Sequence, residues 1–320
     1  MAPGSRILAL GHYQPARVLG NDELATMVDT SDEWIRERVG IATRRVAARD
    51  ETVADMAAAA AGKTLARSGL DPADVDMVVV ATATGLCRMP NTAAQVAREL
   101  GVRGAAALDV NTACSGFPAA LATADHAIRA GAATSAIVVG VDKMSDFTDY
   151  ADRTTCVLFG DGAGAAVITA AASPAQGGIG PVVWGSDADL GDAISLTTDD
   201  PDGDRPLFRQ QGQAVYRWAT GLAPLALSAC ERAGVDPADL DGIVTHQANL
   251  RIIDVLARKI GAPNAVVATD VVESGNTSAA GVPIALAKMA ERGRLARGSA
   301  VLLFGFGAGL IWAGQVIRCP

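Results

Sequence analysis

An internal repeat constrains this chain more than any other feature of its sequence. Gly69-Leu-Asp-Pro-Ala-Asp-Val-Asp76 returns 165 positions later as Gly234-Val-Asp-Pro-Ala-Asp-Leu-Asp241. Each copy leads into an apolar run, Met77 to Val80 and Gly242 to Thr245. At the same spacing, Ala113-Cys-Ser-Gly-Phe-Pro-Ala-Ala-Leu121 lies over Ser278-Ala-Ala-Gly-Val-Pro-Ile-Ala-Leu286. Ser135 to Val139 matches Ser299 to Leu303 at a spacing of 164, and Gly162-Ala-Gly164 resembles Gly307-Ala-Gly309. Such a duplication predicts two similar α/β halves, residues 1–170 and 171–320, in which strands alternate with alanine-rich helices. Strands this apolar need both faces covered, so mainly parallel sheets with helices on their faces are expected. A helix from each half then lies at the centre, with ligand sites at its turn. Gly177 to Gln211, rich in Gly, Asp and Pro, reads as a long connecting loop.

Composition narrows the function. With 320 residues, 50% hydrophobic and 19% charged, the chain can bury a large core. A net charge of -8 argues against nucleic acid as the main partner. No apolar run is long enough to span a bilayer. Five cysteines, Cys87, Cys114, Cys156, Cys230 and Cys319, show neither a framework spacing nor a CxxC pair. Without a signal peptide, this predicts a reduced cytoplasmic protein. No metal-ligand cluster is apparent, and no metal is expected.

Three segments carry candidate chemistry. Cys114 stands at the tip of a turn between the strand-like run Ala105 to Val110 and a helix through Ala119 to Ala122. Ser115 and Gly116 leave room for a substrate, and Pro118 suits a first helical turn. A thiol at a helix N-terminus faces free N–H groups and the positive end of the dipole, which predicts a stabilised thiolate. A lone cysteine is more often a buried structural residue, and two further segments reverse those odds. His246 follows the strand Ile243-Val-Thr245 and precedes a helix from Leu250 to Lys259, at a strand end where α/β proteins bind ligands. It replaces Ala81 of the first copy, so the fold itself does not demand a histidine there. His12 and His126 lie in unremarkable places. Asn276 belongs to Glu273-Ser-Gly-Asn-Thr-Ser-Ala-Ala-Gly281, a good capping sequence. Counted from the aspartate (Asp109 or Asp270) to the helix, this second turn is four residues longer than the first, which aims its amide at the space around Cys114.

Ala-Cys-Ser-Gly-Phe around Cys114, His-Gln-Ala-Asn-Leu-Arg-Ile-Ile from His246 and Gly-Asn-Thr-Ser-Ala-Ala around Asn276 together resemble the β-ketoacyl-acyl carrier protein synthase III family. The likeness runs from Asp29-Thr-Ser-Asp-Glu-Trp34 to Phe304-Gly-Phe-Gly-Ala-Gly309 and includes Leu158-Phe-Gly-Asp-Gly-Ala-Gly-Ala165. That glycine-rich run lacks the Lys-Ser/Thr of a P-loop and reads as tight backbone packing. The resemblance implies a thiolase-like fold, two duplicated halves with central helices between mixed sheets in αβαβα layers. It implies that Cys114 takes the acyl group of an acyl-coenzyme A and condenses it with malonyl-acyl carrier protein after decarboxylation. His246 and Asn276 would hold the enolate oxygen, and the N–H groups of Cys114 and Ala308 the tetrahedral oxyanion.

By the same resemblance Trp34, Arg38, Arg153 and Arg251 contact coenzyme A or the phosphopantetheine carrier. Arg217, Arg258 and Lys259 extend a basic patch, although Arg258 and Lys259 read equally well as solvated charges. The acyl pocket is expected from Leu86, Met89, Thr112 and Phe306, with Met89 lent by the partner of a homodimer. No cofactor is implied beyond the acyl-coenzyme A substrate. Asn111-Thr112, Thr245 and Glu273-Ser274 depart from the usual family residues, which leaves the primer and the pathway, fatty acid or polyketide, open. An acyltransferase that forms an ester or amide on a small acceptor is the alternative reading. A silent partner subunit is disfavoured by the retention of Cys114, His246 and Asn276.

Overall fold

The computed structural model describes residues 4–173, 176–197 and 206–320. Two five-stranded mixed sheets form the frame. In the first, Ala106–Val110 pairs with Met77–Ala81, then follow Ser135–Lys143, Asp161–Ala170 and Ser5–Tyr13. In the second, Val266–Val267 pairs with Gly242–Thr245, then follow Ala300–Gly307, Ile311–Arg318 and Val183–Ser186. Order and sense are the same in both sheets. Two parallel pairings are followed by two antiparallel ones.

Helices Gly116–Arg129 and Gly281–Glu291 lie between the sheets and touch both. Their alanines, with Phe117, Leu121, Val282 and Leu286, form one buried cluster with Val79, Val138, Val244 and Leu303 from the two sheets. Helices Val53–Ser68 and Thr92–Glu99 cover the outer face of the first sheet. Ala223–Ala233 and Leu250–Ile260 cover that of the second. The result is the thiolase-like αβαβα sandwich, and its close layers explain the alanine content. Helix Val53–Ser68 starts with a capping box between Thr52 and Asp55 and buries Ala57, Ala60 and Ala61. A Cβ on Gly164 would lie 2.6 Å from the Ile284 nitrogen, so the glycine-rich run is indeed where a central helix rests on bare backbone.

The structure corrects three expectations. The register of the repeat is 165 throughout the central strands: Met77 pairs with Ala136, and Gly242 with Val301. The 164 alignment slips by one residue, which in a strand would exchange the faces. Gly162 and Gly164 lie within the strand Asp161–Ala170, whereas Gly307 ends the strand Ala300–Gly307, so those runs are not equivalents. The segment 177–211 is no plain loop. It holds the strands Val183–Ser186, Ile194–Thr197 and Leu207–Gln210, although 198–205 fall outside the described residues.

Candidate active site

The two central helices begin at matching turns. Ala113 (φ 45°) and Ser278 (φ 51°), 165 positions apart, are the two non-glycine residues with positive φ among the described residues. A side-chain amide holds each turn. Asn111 Oδ1 accepts from the Ala113 N–H (3.2 Å), and Asn276 Oδ1 from the Ser278 N–H (2.9 Å). Asn111 and Asn276 are therefore structural equivalents. The longer turn of the second copy accommodates a one-turn helix, Val271–Ser274, ending at Gly275. Strand pairing sets its length at five extra residues rather than four: Val78 pairs with Ala107 and Ile243 with Val267, 160 positions apart, whereas the asparagines are 165 apart.

Because Ser278 N–H fixes Oδ1, the NH2 of Asn276 is left to face the cavity that this residue lines. Its backbone is tied on both sides, to Leu158 O (2.8 Å) and to the Gly160 N–H (3.0 Å). His246 is fixed by its N–H to Phe304 O (2.7 Å) and by edge contact with Phe306, ring centroids 5.2 Å apart. Burial pushes its pKa down to about 3, so the imidazole is neutral near pH 7. Nδ1 is buried with no hydrogen-bond partner among the described residues.

Cys114 sits in a short 3-10 turn, Ala113–Ser115, whose Thr112 O accepts from the N–H and hydroxyl of Ser115. Gly307 makes room for it: a Cβ there would lie 2.8 Å from Cys114 Cβ. Sγ is 3.5 Å from Ser278 Oγ. The expected thiolate is corrected. Burial pushes the thiol up to about 12, because desolvation penalises the charged sulfur.

One cavity of about 370 Å³ joins Cys114, His246, Asn276 and Ala308. Phe306 lines it as expected. Its other apolar walls include Met144, Phe147, Phe159, Ile194 and Phe208, none of which the sequence marks as a pocket residue. Apolar residues on these distant segments read as core, and the one signal is that Phe159 falls within the glycine-rich run from Leu158 to Ala165. Leu86 and Met89 do not line it. They are 72% and 87% exposed, on a surface segment tied to the first sheet's edge strand through Asn91 and Ala107 O. Thr112 is also absent from its wall, and its hydroxyl is buried without a hydrogen-bond partner among the described residues.

At the mouth, two guanidinium groups lie over the Trp34 ring, Arg153 at 5.1 Å and Arg38 at 5.8 Å from its centroid. Arg153 is also held by Asp29 O (3.0 Å). Arg251 lies over the Tyr216 ring at 5.6 Å. Their neighbours Val39, Thr154, Asn249 and Ile252 line the cavity. Among the described residues there is no His/Cys/Asp/Glu group suited to a metal and no helix long and apolar enough to cross a membrane.

A cysteine at the head of one central helix, facing an imidazole and an amide from the other half of an αβαβα sandwich, defines a thiolase-fold condensing enzyme. Residues 108–188 match the family 3-oxoacyl-[acyl-carrier-protein (ACP)] synthase III, and residues 230–319 match its C-terminal region. The chain is 62% identical over 321 residues to β-ketoacyl-[acyl-carrier-protein] synthase III 4 of Streptomyces coelicolor, covering 100% of both chains. It is 62% identical over 318 residues to synthase III 2 of Streptomyces avermitilis, covering 99% of each. Among solved structures it is similar to the priming β-ketosynthase of the R1128 polyketide biosynthetic pathway, with a TM-score of 0.96 and 41% identity over 100% of this chain and 97% of that one. The chain belongs to the β-ketoacyl-acyl carrier protein synthase III family.

Proposed function

We propose that this enzyme primes fatty acid or polyketide assembly by condensing an acyl group, taken from acyl-coenzyme A, with malonyl-acyl carrier protein. The observation that carries this reading is the convergence of Cys114, His246 and Asn276 on one largely apolar cavity with an aromatic and cationic mouth. Cys114 Sγ attacks the thioester carbonyl, the C–S bond to coenzyme A breaks, and the thiol proton leaves with the coenzyme A sulfur. The N–H groups of Cys114 and Ala308 face the oxyanion. Loss of carbon dioxide from the malonyl group then places an enolate oxygen between His246 Nε2 and the Asn276 amide. A neutral imidazole suits this role. With no acceptor at Nδ1, its proton is best placed on Nε2, where it donates to the enolate. The enolate carbon attacks acyl-Cys114, the C–S bond breaks with the electron pair on sulfur, and a proton from solvent returns the thiolate to the thiol.

Trp34 and Arg153 form a slot for the coenzyme A adenine, Arg38 meets its phosphates and Arg251 the pantetheine carrier. The two halves divide at residues 170 and 171. The enzyme acts as a homodimer in the cytoplasm. Exposed Leu108 (41%) on the unpaired edge strand, with Leu86 and Met89 beside it, is where a second copy adds its sheet and each Met89 enters the other pocket. The direct test incubates enzyme, a panel of acyl-coenzyme A primers and malonyl-acyl carrier protein, and measures β-ketoacyl product together with carbon dioxide. No product with any primer from acetyl to branched and medium-chain acyl groups overturns the reading.

A further inference from the structure

Arg44, on the strand Thr43–Val46, is a fully buried arginine that lies outside the cavity wall. Its hydrogen bonds go to neutral oxygens. Nη1 donates to Asn21 Oδ1 (2.7 Å) and Leu19 O (3.5 Å), and Nη2 to Val157 O (2.6 Å). No carboxylate pairs with it among the described residues, and its Nε is buried without a partner. Burying a charge without a counter-ion opposes folding, so hydrophobic packing alone would favour another residue here.

What surrounds Arg44 is the backbone that carries Asn276. Val157 O, which takes Nη2, opens the turn whose Leu158 O accepts the Asn276 N–H (2.8 Å) and whose Gly160 N–H donates to Asn276 O (3.0 Å). A Cβ on Gly160 would lie 3.1 Å from Arg44 Cβ, and one on Gly275 2.9 Å, so both glycines rest on the root of this side chain. The two residues before Arg44 hold the other approach to Asn276. The Ala42 N–H donates to Val272 O (2.8 Å), and the Thr43 hydroxyl to Glu273 O (2.7 Å). Asn21 anchors the far side of the fork, because its Nδ2 donates to Asp32 Oδ1 (2.8 Å) and to Ile41 O (2.8 Å). A planar guanidinium bridges Asn21 and Val157 at once, whereas the ammonium of a lysine has no such fixed fork.

We propose that Arg44 is the positioning residue for Asn276. By holding Val157 O it fixes the turn from Val157 to Gly160, and that turn fixes the backbone from which the Asn276 amide reaches the cavity. The enolate forms only after Cys114 is acylated, so Arg44 acts on the second step and leaves the first alone. The inference rests on the condensation proposed above, because that step is the one that uses the Asn276 amide.

Measuring the two steps apart separates this role from a general loss of structure. Cys114 is first acylated by an acyl-coenzyme A and followed by intact mass. Malonyl-acyl carrier protein is then added and product is counted per acyl-enzyme formed, which keeps unfolded protein out of the rate. Arg44→Lys should slow condensation about tenfold or more, with acylation within about threefold of wild type. In an Asn276→Ala background the same change should slow condensation no further, because a residue that acts through Asn276 then has nothing to position. Equal slowing of both steps, slowing of neither, or a further loss of about tenfold on top of Asn276→Ala overturns the proposal. If Arg44→Lys does not fold, Asn21→Ala decides, since it keeps Arg44 but removes the acceptor of Nη1. Slowing confined to condensation upholds the proposal, and any other result overturns it. No product from the wild-type acyl-enzyme would instead refute the condensation itself, and this inference with it.

Discussion

Gly307→Ala tests whether the strand end and the cysteine turn are as closely fitted as the structure shows. An added methyl would lie 2.8 Å from Cys114 Cβ, 2.9 Å from its nitrogen and 3.1 Å from Sγ. Two of these are below any ordinary carbon contact, and the turn cannot simply retreat. Cys114 lies behind Gly305, where a Cβ would come within 2.8 Å of Ser115 Cα. Gly307 does not have a positive φ, so alanine carries no backbone strain of its own and the effect is steric. Overpacking of this kind costs about 1–3 kcal/mol of stability. A displacement of Sγ on the order of 1 Å should slow acylation about 100-fold. The assay is single-turnover acylation of Cys114 by an acyl-coenzyme A, followed by intact mass, beside urea unfolding of the same sample. Gly20→Ala, where nothing lies within 4 Å, serves as the control and should change neither quantity. Acylation at the wild-type rate in Gly307→Ala would refute the close packing of this strand end against the thiol.

Asn276→Ala should lower condensation by about 100-fold or more while leaving Cys114 acylation within a few-fold, measured by product formation and intact mass respectively. His246 has a folded pKa of about 3, below its unfolded value of 6.5, so the unfolded chain binds the extra proton between those limits. Its contribution to stability is complete above pH 6.5 and is lost as pH falls toward 3. Urea unfolding across this range should therefore show a smaller slope in His246→Gln than in wild type, and parallel slopes would count against a buried neutral imidazole. If the proposed homodimer forms through the exposed edge strand, Leu108→Lys should give a monomer by light scattering, with acylation weakened by the loss of the partner's Met89. In the intact dimer, Met89→Trp should shift the preferred primer toward shorter chains, read as kcat/KM over a panel of acyl-coenzyme A donors.

What the sequence determined is local or repeated. The duplication, the cysteine turn ahead of its helix, and the histidine standing where the first copy has Ala81 all follow from residue type and order. Each is a short-range pattern that a fold must respect wherever it places the segment. Met144, Phe147, Phe159, Ile194 and Phe208 were not legible as cavity walls, because an apolar side chain reads the same whether it faces a packed neighbour or a substrate. Asn111 falls over Asn276 at the same spacing of 165, but that each amide oxygen holds the turn ahead of its helix is decided by the folded backbone. The charge state of Cys114 was misjudged for a related reason. A helix N-terminus is visible in sequence and argues for a thiolate, whereas desolvation comes from elements brought together only by folding. Burial is a property of the assembled layers, and it is what raises the Cys114 thiol.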